Sequence, residues 1–357
     1  MVTRELSFRD FVEEALYRPE TGYYVREENR IGPEGDYVTS PVISAVFSFA
    51  LGRLVREFVS SVSPASSTVV DVGCGDGSLL RSIAAEAGDL REVEFIGIDR
   101  SLRRAGALEE AAGIRFAESV DAIPADRPVL VICNELYDAL PFARLVRREE
   151  GLHELWVREA GGERDWIEKP APHGYEEYFA KSGMDLAVGQ FADISLDWSA
   201  LHEAICDRIF KGLIVVLDYG FVREKLFDRR IRMYGTAAAY SRQRVHRDLL
   251  ADPGEQDLTA HVNFSDLIES GERRSMSTLL FCRQAEFLLR LGIAEHTLLQ
   301  PIPENTEASL ADALQLRERR EAARRLVLPD GIGQDISVLV QGRGMPITGW
   351  NFLQRLW

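Results

Sequence analysis

The chain has 357 residues, of which 46% are hydrophobic and 28% charged, with a formal net charge of −15. This balance excludes a disordered or fibrous chain, and no apolar run reaches the roughly 18 residues of a membrane-spanning helix. The acidity weighs against a protein that tracks a nucleic-acid backbone, which needs a basic face to replace counterions. The N-terminus lacks an uninterrupted apolar core and carries Glu5, Asp10, Glu13 and Glu14, so neither a secretory nor an organellar leader is expected and the cytoplasm is the expected compartment. Cys74, Cys133, Cys206 and Cys282 form no CxxC and have no zinc spacing with the six histidines, so no metal site is expected.

The first predicted element is a helix starting at Ser7, with Ser7 and Asp10 as a capping pair and Phe8, Phe11, Val12, Ala15 and Leu16 on one face. Residues 27–40 form a polar, glycine-rich loop. Ser40-Pro41 opens a longer helix, whose apolar stripe runs from Ile43 to Phe58. After a linker at 61–67, apolar runs alternate with helical stretches. Strands are predicted at 68–72, 93–99, 114–117, 129–133 and 213–220, and helices at about 78–87 and 101–112. Apolar runs without alternation suit strands covered on both faces, as in a parallel sheet. Residues 142–170 read as a β-hairpin with GGERD near a turn, and 221–262 as a polar, arginine-rich insertion. Strands at 277–281 and 336–342 around a helix at 282–291 complete the predicted sheet.

Asp71-Val72-Gly73-Cys74-Gly75-Asp76-Gly77 lies where the first core strand turns into a helix. Glycines there let backbone pass close beneath a ligand, although a purely structural turn gives the same pattern. A dinucleotide would place pyrophosphate at this helix start, where Asp71 and Asp76 would repel it. S-adenosylmethionine carries no phosphate but an ammonium and a sulfonium, so the acids favour it over NAD. Asp99, at the end of the second core strand, is placed to accept ribose hydroxyls, or alternatively to cap the next helix. Glu118 and Ser119, after the third, are placed to meet adenine.

Asn134-Glu135-Leu136-Tyr137-Asp138-Ala139-Leu140-Pro141 follows the fourth core strand. Ligands sit at the carboxyl ends of strands in open α/β sheets, so Asn134, Glu135 and Asp138 are candidate active-site residues; capping and loop solvation are the plainer reading. His261 is a candidate general base or a structural histidine.

With Gly22-Tyr23-Tyr24, GDYVTSP at 35–41, the glycine loop, NELYDALP at 134–141, LDYG at 217–220 and DLTAHVNF at 257–264, the chain resembles the MidA-like methyltransferases over nearly its whole length. Their mitochondrial member methylates an arginine on a subunit of respiratory complex I during assembly. The resemblance implies a Rossmann-like class I methyltransferase fold with a seven-stranded, mostly parallel sheet and S-adenosyl-L-methionine as cofactor. It also implies that a protein arginine is the acceptor, and it brings Thr39 and Ser40 into the cofactor-binding set. The sequence departs from the family at Val42, where Glu is usual, and in its DVGCGDG loop, where ELGPGRG is typical. It departs again at Asp99-Arg100-Ser101, where Glu-Ser-Pro is usual, and at Asn263, where Asp is usual.

The resulting expectation is a helical lid over 1–63 and a core over 64–357 with insertions at about 142–170 and 221–262. The catalytic set is Asn134, Glu135, Asp138 and His261. The cofactor-binding set is Asp71, Gly73, Gly75, Gly77, Asp99, Glu118, Ser119, Asn134, Thr39 and Ser40. The expected partner is a methyl-acceptor protein or small molecule, with neither nucleic acid nor membrane. A small-molecule O- or N-methyltransferase, or a silent scaffold retaining the cofactor fold, are the other readings. The loop over 31–40 is expected to close over the site. The arginines between 223 and 247 suit either an acidic partner or a solvated, ion-paired insertion.

Overall fold

The structure, a computed structural model, describes residues 3–26, 41–62, 67–88, 90, 92–101, 113–241, 244–301, 310–345 and 349–354. In chain order its first elements are β1 Arg4–Ser7, α1 Phe8–Tyr17, α2 Pro41–Ser61, β2 Ser67–Val72, α3 Ser78–Glu86, β3 Val93–Ile98, β4 Ile114–Ala117 and β5 Val129–Asn134. Then come β6 Ala143–Arg148, β7 Gly151–Ala160, β8 Glu163–Pro170, α4 His173–Ser182, β9 Phe191–Ile194, α5 Asp197–Arg208, β10 Gly212–Phe221 and α6 Arg223–Leu226. The last are β11 Ala238–Ser241, β12 Arg244–His246, β13 Asp257–Thr259, β14 Val262–Asn263, α7 Phe264–Arg273, β15 Ser277–Arg283, α8 Gln284–Arg290, α9 Leu310–Arg324 and β16 Ile336–Arg343. The helix predicted at 101–112 lies outside the described residues. No helix among the described residues is long and apolar enough to cross a membrane.

The chain divides into two compact units. One comprises residues 38–134, 203–218 and 271–357. Its sheet has the order β15-β16-β10-β5-β2-β3-β4. β10, β5, β2, β3 and β4 run parallel to one another, and β15 is antiparallel to β16. All six residues of β2 are buried, as befits a central strand covered on both faces. Chain order reverses beside β2: β3 and β4 lie to one side and β5 and β10 to the other. Such a switch point opens a crevice at the strand carboxyl ends, which here is where the glycine turn begins.

The other unit comprises residues 1–37, 135–202 and 219–270. The region read as a hairpin, 142–170, is three antiparallel strands, β6, β7 and β8. The ten-residue β7 pairs with β8 along one edge. Its other edge is shared by β6, opposite Gly151–Glu154, and β1, opposite Trp156–Glu159. β9 extends the sheet beyond β6. A hairpin is only part of the answer, since β7 feeds two cores, Val157 packing with the α1 cluster and Leu152 with Tyr175, Phe179 and Ile194. Ser7 accepts from the Asp10 amide at 3.1 Å, capping α1 as predicted, and the α1 face Phe8, Phe11, Val12, Ala15 and Leu16 packs with Phe142, Val157, Leu258 and Ala260.

Asp193 on β9 ties this unit together. Its buried carboxylate accepts from the amides of Thr236 and Ala237 at 2.6 and 2.8 Å and from Arg144 at 2.6 Å. Removing one member of a buried pair strands the other charge. Asp193→Ala is therefore expected to cost about 3 kcal/mol or more in urea unfolding; a loss below about 1 kcal/mol would show the pair to be dispensable.

Candidate active site

The glycine turn is built by backbone donors reaching across from β2 to the end of β3. The amides of Gly73 and Cys74 donate to the Ile98 carbonyl at 2.7 and 3.2 Å. This draws the turn over Asp99, whose Oδ2 accepts the Gly75 amide at 2.9 Å. Its Oδ1 accepts the Ser101 amide and hydroxyl at 2.8 and 2.5 Å. Oδ1 is thus taken up by a local turn with Ser101, while Oδ2 keeps a lone pair for a further donor.

Gly73, Gly75 and Gly77 all have positive φ, 81°, 53° and 71°, the region that costs other residues strain. A Cβ on Gly75 would meet nothing within 4 Å, so the turn presents bare backbone there. A Cβ on Gly77 or Gly97 would strike the Phe116 ring at 2.9 or 2.6 Å. Phe116 is a residue that sequence reasoning missed; its ring packs where glycines leave room. Glu118 is exposed. Ser119 is also exposed, and its hydroxyl accepts the Asp121 amide at 3.2 Å, so its side chain caps a turn. Thr39 and Ser40, with the loop expected to close over the site, lie outside the described residues.

Three carboxylates converge on this turn. Asp71 is fully buried; desolvation, then the like charges of Asp99 and Asp76, push its carboxyl up to about 7. The arrangement suits a cation and opposes a phosphate.

In the other unit, the chain after β5 is held from several sides. Glu135 adopts φ 49°, a left-handed conformation uncommon outside glycine and frequent at functional sites. The buried Tyr137 hydroxyl meets His202 Nδ1 at 2.8 Å, and its carbonyl accepts Trp198 Nε1 at 2.7 Å. The Ala139 carbonyl accepts the Tyr17 hydroxyl at 2.8 Å, and Pro141 accepts Ser195 at 2.6 Å. Tyr17, Trp198 and His202 carried no motif; only the fold brings them to this loop.

Asp138 and His261, predicted from segments over 120 residues apart, line one concavity with Tyr219, Tyr240, Thr259 and Ala260. The DLTAHVNF stretch lines it with three consecutive residues, Thr259, Ala260 and His261, at the break between β13 and β14. Leu258 and Val262 on either side are buried. Asp257 accepts the Tyr24 hydroxyl at 2.9 Å, joining the GYY motif to this stretch. Gly220 is required because a Cβ would meet the Val262 carbonyl at 2.3 Å. The departure at Asn263 is also explained. Its Oδ1 accepts the Ser265 amide at the start of α7, and its amide donates to Tyr178, whose hydroxyl donates to Asp266. A carboxylate at 263 would put a second negative charge on a network in which burial already raises Asp266 to about 6.

Residues 50–282 match the model of the family described as "Putative S-adenosyl-L-methionine-dependent methyltransferase". The chain belongs to this family. The mitochondrial protein arginine methyltransferase NDUFAF7 of Danio rerio is 25% identical, the match covering 82% of this chain and 74% of the relative. That of Mus musculus is 26% identical, over 82% and 72%. A crystal structure from Burkholderia thailandensis, bound to S-adenosyl-homocysteine, superposes with a TM-score of 0.83 at 27% identity and covers 98% of this chain and 91% of that one. The protein is an S-adenosyl-L-methionine-dependent methyltransferase with the α/β methyltransferase fold. The glycine turn fits that cofactor: it offers bare backbone and three carboxylates to a ligand with two cationic centres.

The buried Asp71 makes a pH prediction. Its folded pKa lies above the unfolded value of about 3.9, so the folded chain holds a proton that the unfolded chain has released between the two. Its contribution to stability is present below the unfolded value and is lost as pH rises through about 4 to about 7. Asp71→Asn removes this dependence. In urea unfolding of the ligand-free protein between about pH 5 and pH 8, the variant should gain stability relative to the parent as pH rises. A constant difference across that range would contradict the assignment.

Proposed function

We propose that the methyl acceptor is an arginine side chain of a protein. The observation that carries this reading is the concavity in which Asp138 and His261 meet the rings of Tyr219 and Tyr240. A guanidinium starts protonated, with a pKa above about 12, so its nitrogens are poor nucleophiles until charge is drawn away from one of them. A carboxylate such as Asp138 pairs with the planar fork and localises charge on the nitrogens it binds, leaving the lone pair of another to react. Tyrosine faces suit the same cation. Glu135, held in a strained backbone, is the second acid in this role. The names of the relatives point the same way.

On the donor side, Asp99 holds the ribose through its spare lone pair. Asp71 would hold the cationic end against the bare backbone of the turn at Gly73, Gly75 and Gly77, with Asn134, Glu118 and Ser119 beside the adenosine. The bound cofactor supplies an electrophilic methyl group. To the acceptor nitrogen it would supply that methyl group, with the sulfur leaving with the electron pair of the broken bond. The nitrogen's proton passes to His261. The protein contributes orientation, exclusion of water and charge placed in advance.

Transfer of a tritiated methyl group into a cell lysate is expected to label protein, with methylarginine recovered after hydrolysis. Label confined to small molecules would refute the acceptor class, and no label in any fraction would favour a silent scaffold. Glu135→Gln and Asp138→Asn should each keep cofactor affinity while cutting transfer about a hundredfold, as lost charge stabilisation does. Equal losses in affinity and turnover would assign these acids to the donor or the fold.

A further inference from the structure

Charge and exposure are unevenly distributed in the unit that carries the concavity. Its arginines are largely paired with acids: Arg9 with Asp197, Arg26 with Glu255, Arg147 with Glu176, Arg158 with Glu5. That is what a chain of net charge −15 should do with its cations. Within 223–247 the pattern splits. Arg223 pairs with Glu269 and Arg230 with Asp228. Arg229, Arg244 and Arg247 are exposed and form no ion pair with any described residue.

The large apolar side chains most exposed among the described residues fall in the same stretch. Tyr234 is 67% exposed, Ile231 66% and Val245 63%. Exposed aromatic and aliphatic side chains interleaved with unpaired arginines are the composition of a protein-binding surface, and single exposed apolar residues scattered elsewhere are not.

Backbone pairing gives this surface a direction. β12 is the terminal strand of the sheet β12-β11-β13, and all three of its residues are exposed. A terminal strand presents unpaired backbone groups to an incoming extended chain. Val245 on β12 is in register with Tyr240 on β11, and Tyr240 lines the concavity with Asp138 and His261. The cationic edge therefore borders that concavity. Phe221 lies 5.6 Å from the His261 ring and carries Lys225 and Arg232 over its own face at 4.5 and 4.2 Å.

We propose that the exposed edge of β12, with Arg244, Arg247 and the apolar side chains of 231–245, docks an acidic, extended segment of the acceptor protein next to the residue to be methylated. This rests on the reading that the acceptor is a polypeptide. The edge strand offers hydrogen bonds to a polypeptide backbone, and apolar groups sit between the cations. A nucleic-acid strand needs a longer run of cations and stacking platforms. In an acidic chain, attraction of a polyanion has to come from such a local surface, and complementary charge chiefly sets encounter and specificity.

The test measures docking without turnover. A fluorescein-labelled peptide of alternating Glu and Thr is titrated with the full-length protein and followed by anisotropy. It should bind at low salt, weaken as salt rises, and bind about tenfold or more weakly to Arg244→Glu/Arg247→Glu. The variant should melt at the parent temperature, since both side chains are exposed. A peptide with Gln in place of Glu should not bind. Absence of binding, or equal binding to the double variant, would overturn the proposal. Equal or tighter binding of a single-stranded oligonucleotide of the same net charge would overturn the choice of a polypeptide. Peptide binding is read separately from methyl transfer, so failure of docking is distinguishable from label passing only to small molecules.

Discussion

The constraint on which the cofactor half of this protein depends is a buried negative charge that its own fold does not neutralise. β2 sits covered on both faces in the middle of a parallel sheet, yet its penultimate residue is Asp71, fully buried beside Asp99 and Asp76. In the free protein, with Asp71 raised to about 7, the conflict is relieved in part by a proton. A ligand with fixed positive charge relieves it differently, by making the ionised form favourable. The glycine turn brings Asp99 into this arrangement through the Gly75 amide, so the backbone that shapes the ligand surface also places its charge.

The other unit meets a different demand. Glu135 and Asp138 follow β5 in an irregular segment, where nothing in the local sequence fixes a conformation. The fold supplies that from a distance, through Tyr17, Ser195, Trp198 and His202. A loop fixed by donors from separate elements can hold two acids and the positive φ of Glu135 in one geometry. The concavity follows the same logic, drawing Asp138, Tyr219, Tyr240 and His261 from separate stretches of chain.

The parallel sheet was legible in the sequence because burial on both faces leaves uninterrupted apolar runs, and the predicted strands at 68–72, 93–99, 114–117, 129–133 and 213–220 correspond to β2, β3, β4, β5 and β10. The α1 cap was legible because Ser7 and Asp10 are local. The antiparallel sheet was read only as a hairpin, since β1 and β9 are four-residue strands whose partners lie far along the chain. At the site, the glycine turn and its acids announced themselves through charge. Phe116, Tyr137, Trp198 and His202 did not, because their contribution is contact across sequence distance. The arginines between 223 and 247 divide: some are ion-paired within the unit, and others face solvent.

The most direct test of the central claim counts protons. Calorimetric titration of S-adenosylmethionine at about pH 6.5, repeated in buffers of different ionisation enthalpy, gives the protons released on binding. With Asp71 at about 7 in the free protein, binding of the cation should release roughly half to one proton from the parent and clearly less from Asp71→Asn. Equal proton release from the two proteins, or NAD binding as tightly as S-adenosylmethionine, would contradict an acidic turn poised for a cationic cofactor.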